Sequence, residues 1–397
     1  MTTARTATPS TARAINDRLA LNLLLEQGPL TATELRGLTG LSRPTVADLL
    51  DRLQRTGLVA VVGERGEQRR GPNARVYALV ASRAHLGAVD VRSGGVSLIV
   101  ADLAGRTLAT AEAPVDGGGG PGTAARIVDV LRETARGAGV ERLHTIAVGA
   151  PGLVDPATGR LHSTGDLPGW HTELLTALRE LPGVEVILEN EVNLAGRAEY
   201  RIGAARDRET FVLLWLGHSV GAAVVLDGRL RRGFSGGTGE ICFLPVPGAV
   251  GLPSADSCEG GFHGLVGSAA VCALARAHGL PADPAGDAPA AEAAVRAALV
   301  ASGPGEPGGA FLDELAERIA LGAAAVCVVL DPGCVVLGGE LGRAGGDELA
   351  ARVERRLALL SPLRTEVRAG TAGGGAVLAG AVLTAGDAAR RDLFGEP

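Results

Sequence analysis

The stretch Thr31–Val59, TATELRGLTGLSRPTVADLLDRLQRTGLV, restricts the fold of this chain more than any other. Thr31 with Glu34 three residues later spells a capping box, which predicts a helix starting at Ala32. That helix ends near Gly40, the residue type that tolerates a left-handed connector. Ser42 caps a second helix, and Pro44 sits in its first turn, where a missing N–H is harmless. Val46, Leu49, Leu50 and Leu53 recur at i, i+3, i+4 and i+7 and give that helix one buried face. Its other face begins with Ser42, Arg43, Thr45 and Asp48. The pattern is a helix-turn-helix whose second helix has the build of a DNA-recognition helix. Any two amphipathic helices joined at a glycine share part of this pattern, so the flanking residues decide. Ile15, Leu19, Leu23 and Leu24 supply a preceding helix over 13–27. Beyond the pair, the apolar runs Leu58–Val62 and Val76–Val80 enclose GERGEQRRGPNAR, a hairpin with Arg65, Arg69, Arg70 and Arg75 in or beside its tip. Together these segments read as a winged helix-turn-helix over residues 13–80. Arg43 is its best base reader, while Arg69 and Arg70 suit phosphate or minor-groove contact.

Charge follows the same division. Residues 1–80 hold 11 Arg against 7 acidic residues, a net of +4; the whole chain is at −6, so the remainder carries −10. A basic head on an acidic body is what is expected when one part meets phosphates and the other does not. All 38 basic residues are Arg, a bias without functional content. The five cysteines have no paired spacing, which fits a reducing cytoplasm better than a disulfide scaffold. No apolar run is long enough to span a membrane, and residues 1–12 read as a disordered lead-in without a secretory signal.

From Leu86 the period changes. LGAVDVRSGGVSLIVADLAGRTLAT reads as three strands separated by turns, followed by a helix over Thr123–Arg136. Strands at Thr145–Gly149, Glu185–Leu188, Phe211–Leu216 and Cys334–Leu337 deliver GAPGLVD, ENEVN, GHSVGAA and GGELGRAGG, with a helix expected over Leu194–Tyr200. Gly-rich and polar segments at strand ends, with helices between, predict an α/β domain over 85–397 with a ligand cleft. The Pro-, Ala- and Gly-rich stretch 281–310 reads as a surface excursion around a short helical patch.

The winged helix followed by GAPGLVD, NEVN, GRLRRGFSGGTGEI and VVLGGE resembles the ROK family (repressors, open reading frames and sugar kinases), in particular its xylose-repressor-like branch, from about Arg13 to Leu383. The resemblance implies an actin-like, ribonuclease H-like two-lobed domain of the sugar-kinase type, with the sugar between the lobes. It also implies a role for particular residues. The first phosphate turn of the family's kinases falls here on Asp90-Val91-Arg92-Ser93-Gly94, with Arg and Ser where Gly is expected, and the second on Gly217-His218-Ser219-Val220-Gly221, without its central Gly. Side chains in such turns keep phosphates from the backbone N–H groups. The kinase base, an Asp after Asn, is here Glu191 after Asn190, and displacement of a base on that scale costs on the order of 100-fold. The zinc-site His falls on Phe243 and the zinc cysteines on Ser254, Asp256 and Gly261, so no metal and no cofactor are expected. Asn190, Glu191 and Glu240 should face sugar hydroxyls, joined by His263 where the family has a Glu. DLPGW, Asp166–Trp170, resembles a stretch near the sugar. The resulting expectation is a non-enzymatic, sugar-responsive regulator, more a repressor than an activator, binding a pseudo-palindromic operator as a homodimer or higher oligomer. The alternatives are an ATP-dependent sugar kinase carrying a DNA-binding head, and a ligand-independent DNA-binding dimer.

Overall fold

A computed structural model describes residues 9–65, 73–92, 94–116, 118–162, 169–303 and 306–395. The head opens with α1 (Pro9–Gln27), four residues before the point where its apolar spacing becomes visible in sequence and within the expected lead-in. It continues through β1 (Leu30–Thr31), α2 (Ala32–Thr39) and α3 (Arg43–Arg55), then a hairpin of β2 (Val59–Arg65) and β3 (Ala74–Leu79). The capping box at α2 is complete: the Glu34 N–H donates to Thr31 Oγ1, and the Thr31 N–H donates to Glu34 Oε2 at 2.7 Å. Gly40 closes that helix at φ 69°, a conformation that disfavours a side chain. Val46, Leu49, Leu50 and Leu53 are all buried, so the recognition helix is held by one apolar face. In the three-stranded sheet β3 is central, pairing antiparallel with both β1 and β2.

The body repeats one topology twice. The first lobe has an antiparallel meander of β4 (His85–Arg92), β5 (Gly95–Asp102) and β6 (Thr107–Pro114), then α4 (Thr123–Gly137) and β7 (Thr145–Ala150). A small ribbon of β8 (Leu153–Val154) and β9 (Leu161–His162) precedes α5 (Gly169–Arg179), β10 (Glu185–Asn190) and α6 (Glu191–Arg201). The sheet order is β10-β7-β4-β5-β6, with β7 parallel to both β4 and β10. The second lobe starts with a meander of β11 (Phe211–Leu216), β12 (Val220–Leu226) and β13 (Arg229–Arg231). It then runs through α7 (His263–Val266), α8 (Ser268–Ala277), α9 (Ala288–Val300) and α10 (Pro307–Leu330) to β14 (Cys334–Gly338), α11 (Gly339–Leu360), β15 (Glu366–Ala369) and α12 (Ala376–Phe394). Its sheet order, β13-β12-β11-β14-β15, is that of the first lobe read from the other edge.

The helices that end each repeat cross over. α6 packs on β11 and β12 of the second lobe, α12 packs on β4 and β7 of the first, and the two helices pack on each other. A Cβ at Gly380 of α12 would lie 1.9 Å from the Leu194 carbonyl of α6, so the crossing is close enough that only glycine fits. The head joins this core: Ala20, Leu21 and Leu24 of α1 share one apolar cluster with Leu86 and Ala88 of β4 and Val377, Ala381 and Ala385 of α12. At typical burial free energies, about 1.5–3 kcal/mol per large side chain, this seam couples the head to the lobes.

Residues 281–310 depart from the surface excursion expected of them. Asp287 caps α9, whose Ala291, Ala294, Val295 and Ala298 are buried in the second lobe. α6 also starts at Glu191 rather than Leu194, because Asn190 caps it.

Candidate nucleic-acid interface and ligand cleft

At the head, Ser42 Oγ accepts from the Thr45 N–H at 3.3 Å and shares a 2.8 Å hydrogen bond with Thr45 Oγ1. The first turn of α3 is therefore fixed by its own side chains, and Arg43 projects from it exposed, with no ion pair among the described residues. A rigid, polar helix start with one free guanidinium is the geometry needed to meet base edges in a major groove. Asp48 stays exposed on α3 and pairs with Arg52, which also reaches Asp17 of α1 at 3.0 Å. Asp48 thus helps tie α3 to α1. Arg65 pairs with Glu34 at 2.6 Å and pins the wing strand to the start of α2. The expected wing contacts Arg69 and Arg70 lie outside the described residues, as does Asp166 of DLPGW.

In the body, residues from both lobes meet where β4, β10, α6, β12 and α11 end or begin. Asn190 is wholly used within the fold. Its Oδ1 accepts from the N–H groups of Val192 and Asn193, and its Nδ2 donates to the Gly152 carbonyl (3.2 Å) and to Glu191 Oε2 (2.8 Å). It positions Glu191 instead of offering both its groups to a ligand. Glu191 sits at the first position of α6, and burial, with Asp90 and Glu240 close by, pushes its carboxyl up to about 8. At neutral pH it is largely protonated, able to donate as well as accept a hydrogen bond. Glu240 is half-buried and shifted upward by desolvation, and its Oε2 accepts a weak hydrogen bond from Cys242 Sγ at 3.7 Å.

Two further residues complete this wall. Arg92, which sequence marked only as a lost glycine, donates from Nε to Asp90 Oδ2 at 2.9 Å and from Nη1 to Glu340 Oε1 at 3.1 Å. The guanidinium thus spans from β4 in one lobe to the start of α11 in the other. Glu340 lies so close to the second phosphate turn that a Cβ on Gly217 would be 2.1 Å from Glu340 Oε2. Asp90 is 3 % exposed, and its Oδ1 has no hydrogen-bond partner among the described residues. Burial raises its pKa against the opposing pull of Arg92.

His263 begins α7, with Glu259 and His218 as its charged neighbours, and burial lowers its pKa. Its Nδ1 is buried without a partner among the described residues. His171, assigned no role from sequence, is buried on α5 against Trp170, ring centroids 4.2 Å apart. Cys258, out of register for the zinc motif, neighbours Cys242, and both thiols are pushed upward chiefly by burial. Among the described residues no group of three or more metal-ligating side chains converges.

Residues 87–387 match the ROK family, and residues 15–71 match the MarR family. The chain belongs to the ROK family. Among curated proteins this ROK chain is similar to the xylose repressor of Bacillus subtilis (strain 168), 23 % identical over 237 residues that make up 59 % of this chain and 61 % of that protein. It is also 23 % identical over 263 residues to the DNA-binding transcriptional dual regulator NagC of Escherichia coli (strain K12), covering 64 % of this chain and 62 % of that one. The chain thus matches about three fifths of the length of these curated relatives. Among solved structures, a ROK family transcriptional regulator described as a homolog of the E. coli MLC protein superposes with a TM-score of 0.71 at 20 % identity, covering 97 % of this chain and all of that one. The ROK hexokinase from Thermus thermophilus superposes with a TM-score of 0.62 at 26 % identity over 77 % of this chain and 99 % of its own. The fold is shared with both solved structures.

Proposed function

We propose that this ROK protein is a transcriptional repressor that binds a pseudo-palindromic operator through paired α3 helices and releases it when a sugar occupies the cleft between the lobes. The observation that carries this reading is the fusion itself: a capped helix start presenting Ser42, Arg43 and Thr45 is packed, through α1 and α12, onto the core of a sugar-kinase-type body. Arg43 makes the base contact, and Thr45 and Ser42 supply shorter polar contacts beside it. Glu191 and Glu240 hydrogen-bond the sugar, Asn190 holds Glu191 in place, and His263 lines a more distant edge. The protein acts as a homodimer or larger assembly, because a two-fold operator demands two heads. The similarity to the xylose repressor and to NagC supports this reading.

The body acts as a sensor without phosphoryl transfer. Arg92 stands in the first phosphate turn and bonds Glu340, which lies against Gly217 of the second, and transfer depends on those turns for positioning and charge stabilisation. The kinase reading is favoured by the carboxyl group of Glu191 at the position of the kinase base and by the likeness to the ROK hexokinase. Selecting operator fragments from random duplex DNA tests the proposal: an enriched inverted repeat supports it, and retention of DNA without sequence preference refutes it. A parallel assay for ATP-dependent phosphorylation of hexoses and pentoses should read zero turnover; measurable turnover would restore the enzyme reading.

A further inference from the structure

At the end of the first lobe away from Asn190 and Glu191, the starts of β7 and β10 and the last two turns of α12 enclose a cavity of ≈ 650 Å³. β10 runs from Glu185 at this cavity to Asn190, so the two places lie roughly 20 Å apart. A space of this size holds a small metabolite. Arg142 lies against the Gly183 carbonyl, to which its Nη2 donates at 2.6 Å. Gly183 has φ 65°, and a Cβ there would collide with that Nη2, so the missing side chain is what seats the arginine. The rest of the Arg142 guanidinium has no partner among the described residues, and neither does any part of the Arg391 guanidinium on α12. His144 is fixed at both ring nitrogens, with Nδ1 2.8 Å from Thr145 Oγ1 and Nε2 3.1 Å from Asp392 Oδ2. Glu185 is exposed, and its carboxylate is unpaired among the described residues.

The cavity thus presents two guanidinium groups without a carboxylate and one carboxylate without a cation. Phosphate and carboxylate oxygens match the planar fork of arginine, and a hydroxyl donates to a carboxylate such as that of Glu185. We propose that this cavity is a second ligand site of the protein, taking a small oxyanion, phosphate or carboxylate, that also carries hydroxyl groups. Arg142 and Arg391 receive the anionic group, and Glu185 takes a hydroxyl. His144 occupies Asp392, the other acidic side chain of the wall, and so keeps it from repelling the anion. The site shares no residue with the wall around Arg92 and does not depend on the sugar-sensing reading. It also adjoins the seam that carries the head: Phe394, in the last turn of α12, is buried in the same apolar cluster as Leu21 and Leu24 of α1. An occupant therefore fastens the end of α12 to β7 and β10 beside that cluster.

The test is titration calorimetry of the full chain against glycerol 3-phosphate, glycerate and glycerol, at low ionic strength where charge is least screened. The three probes share their hydroxyls and differ in carrying a phosphate, a carboxylate or no charge. The expected result is that at least one of the two anions binds and glycerol does not, and the anion that binds identifies which oxyanion the site takes. Arg142→Ala and Arg391→Ala should each weaken that binding by about tenfold, the loss of one hydrogen-bonded charge, while their melting curves show a folded protein. Both arginines lie at the surface, so neither change removes a core contact. Binding of neither anion, glycerol binding as tightly as the anions, or an anion affinity unchanged in both variants overturns the proposal.

Discussion

Replacing Glu191 by Gln should make the unliganded protein more stable and less dependent on pH. The carboxyl is held near 8 in the fold against 4.5 for an ordinary glutamate, with burial the leading cause and Asp90 and Glu240 adding to it. A carboxyl whose pKa is raised on folding carries no penalty below the unfolded value. The penalty then grows by about 1.4 kcal/mol per pH unit until the folded value is passed. At pH 7 this linkage amounts to about 3 kcal/mol as an upper figure, and the solvent that reaches this half-buried side chain reduces it to about 1–3 kcal/mol. Gln keeps an oxygen for the 2.8 Å hydrogen bond from Asn190 Nδ2 and removes the charge. Its melting point at pH 7 should rise by roughly 2–8 °C, with the wild-type decline between pH 5 and 8 correspondingly flattened. Scanning calorimetry of both proteins from pH 5 to 9 reads this directly. A variant that melts lower than wild type at pH 7, or falls with pH at the same slope, would refute the view that Glu191 is a desolvated acid.

Arg92→Ala should lower stability by about 1–3 kcal/mol, since it leaves Asp90 buried without a counter-charge, and the loss should shrink as the pH falls, because burial already raises the Asp90 pKa and its protonation removes the need for one. An unchanged chemical-denaturation midpoint at pH 8 would show that the interlobe pairing carries no weight. Asn190→Ala removes the α6 cap and should cost about 0.5–2 kcal/mol by urea unfolding, together with a loss of sugar affinity through misplacement of Glu191. Stability loss with sugar affinity intact would mean that Asn190 is a cap and nothing more. Arg43→Ala should weaken specific operator binding by about 1–3 kcal/mol and relax selectivity at one base pair, measured by fluorescence anisotropy on single-base operator variants. A uniform loss across all variants would place Arg43 on phosphate instead.

The head was legible in sequence because its signals are local. A capping box, a left-handed glycine, a capped proline turn and a four-residue apolar stripe lie within 29 residues, and each dictates its own geometry. The same locality explains what sequence missed there: Arg65 and Asp48 looked free because their partners, Glu34 and Arg52, depend on how the helices and wing pack. α9 was hidden by its composition, since alanines filling narrow gaps leave no large apolar residues to mark a period. The start of α6 was missed because Asn190 reads as a turn residue until its two backbone donors are seen. Sequence named Asn190, Glu191, Glu240 and His263; the structure brings the first three together and sets His263 beside Glu259 and His218. Arg92 and Glu340 stand 248 residues apart in sequence, so their pairing became visible only in three dimensions.

On the proposed reading, one chain couples a sugar site to a DNA-binding head. The most direct measurement is the affinity of the selected operator for the full chain with and without a saturating sugar, and of that sugar with and without operator. Coupling between sites is reciprocal, so sugar should weaken operator binding and operator should weaken sugar binding by the same factor, typically about 5–150-fold. Operator affinity unchanged by a sugar that calorimetry shows to be bound would contradict it, leaving the body a scaffold for the head.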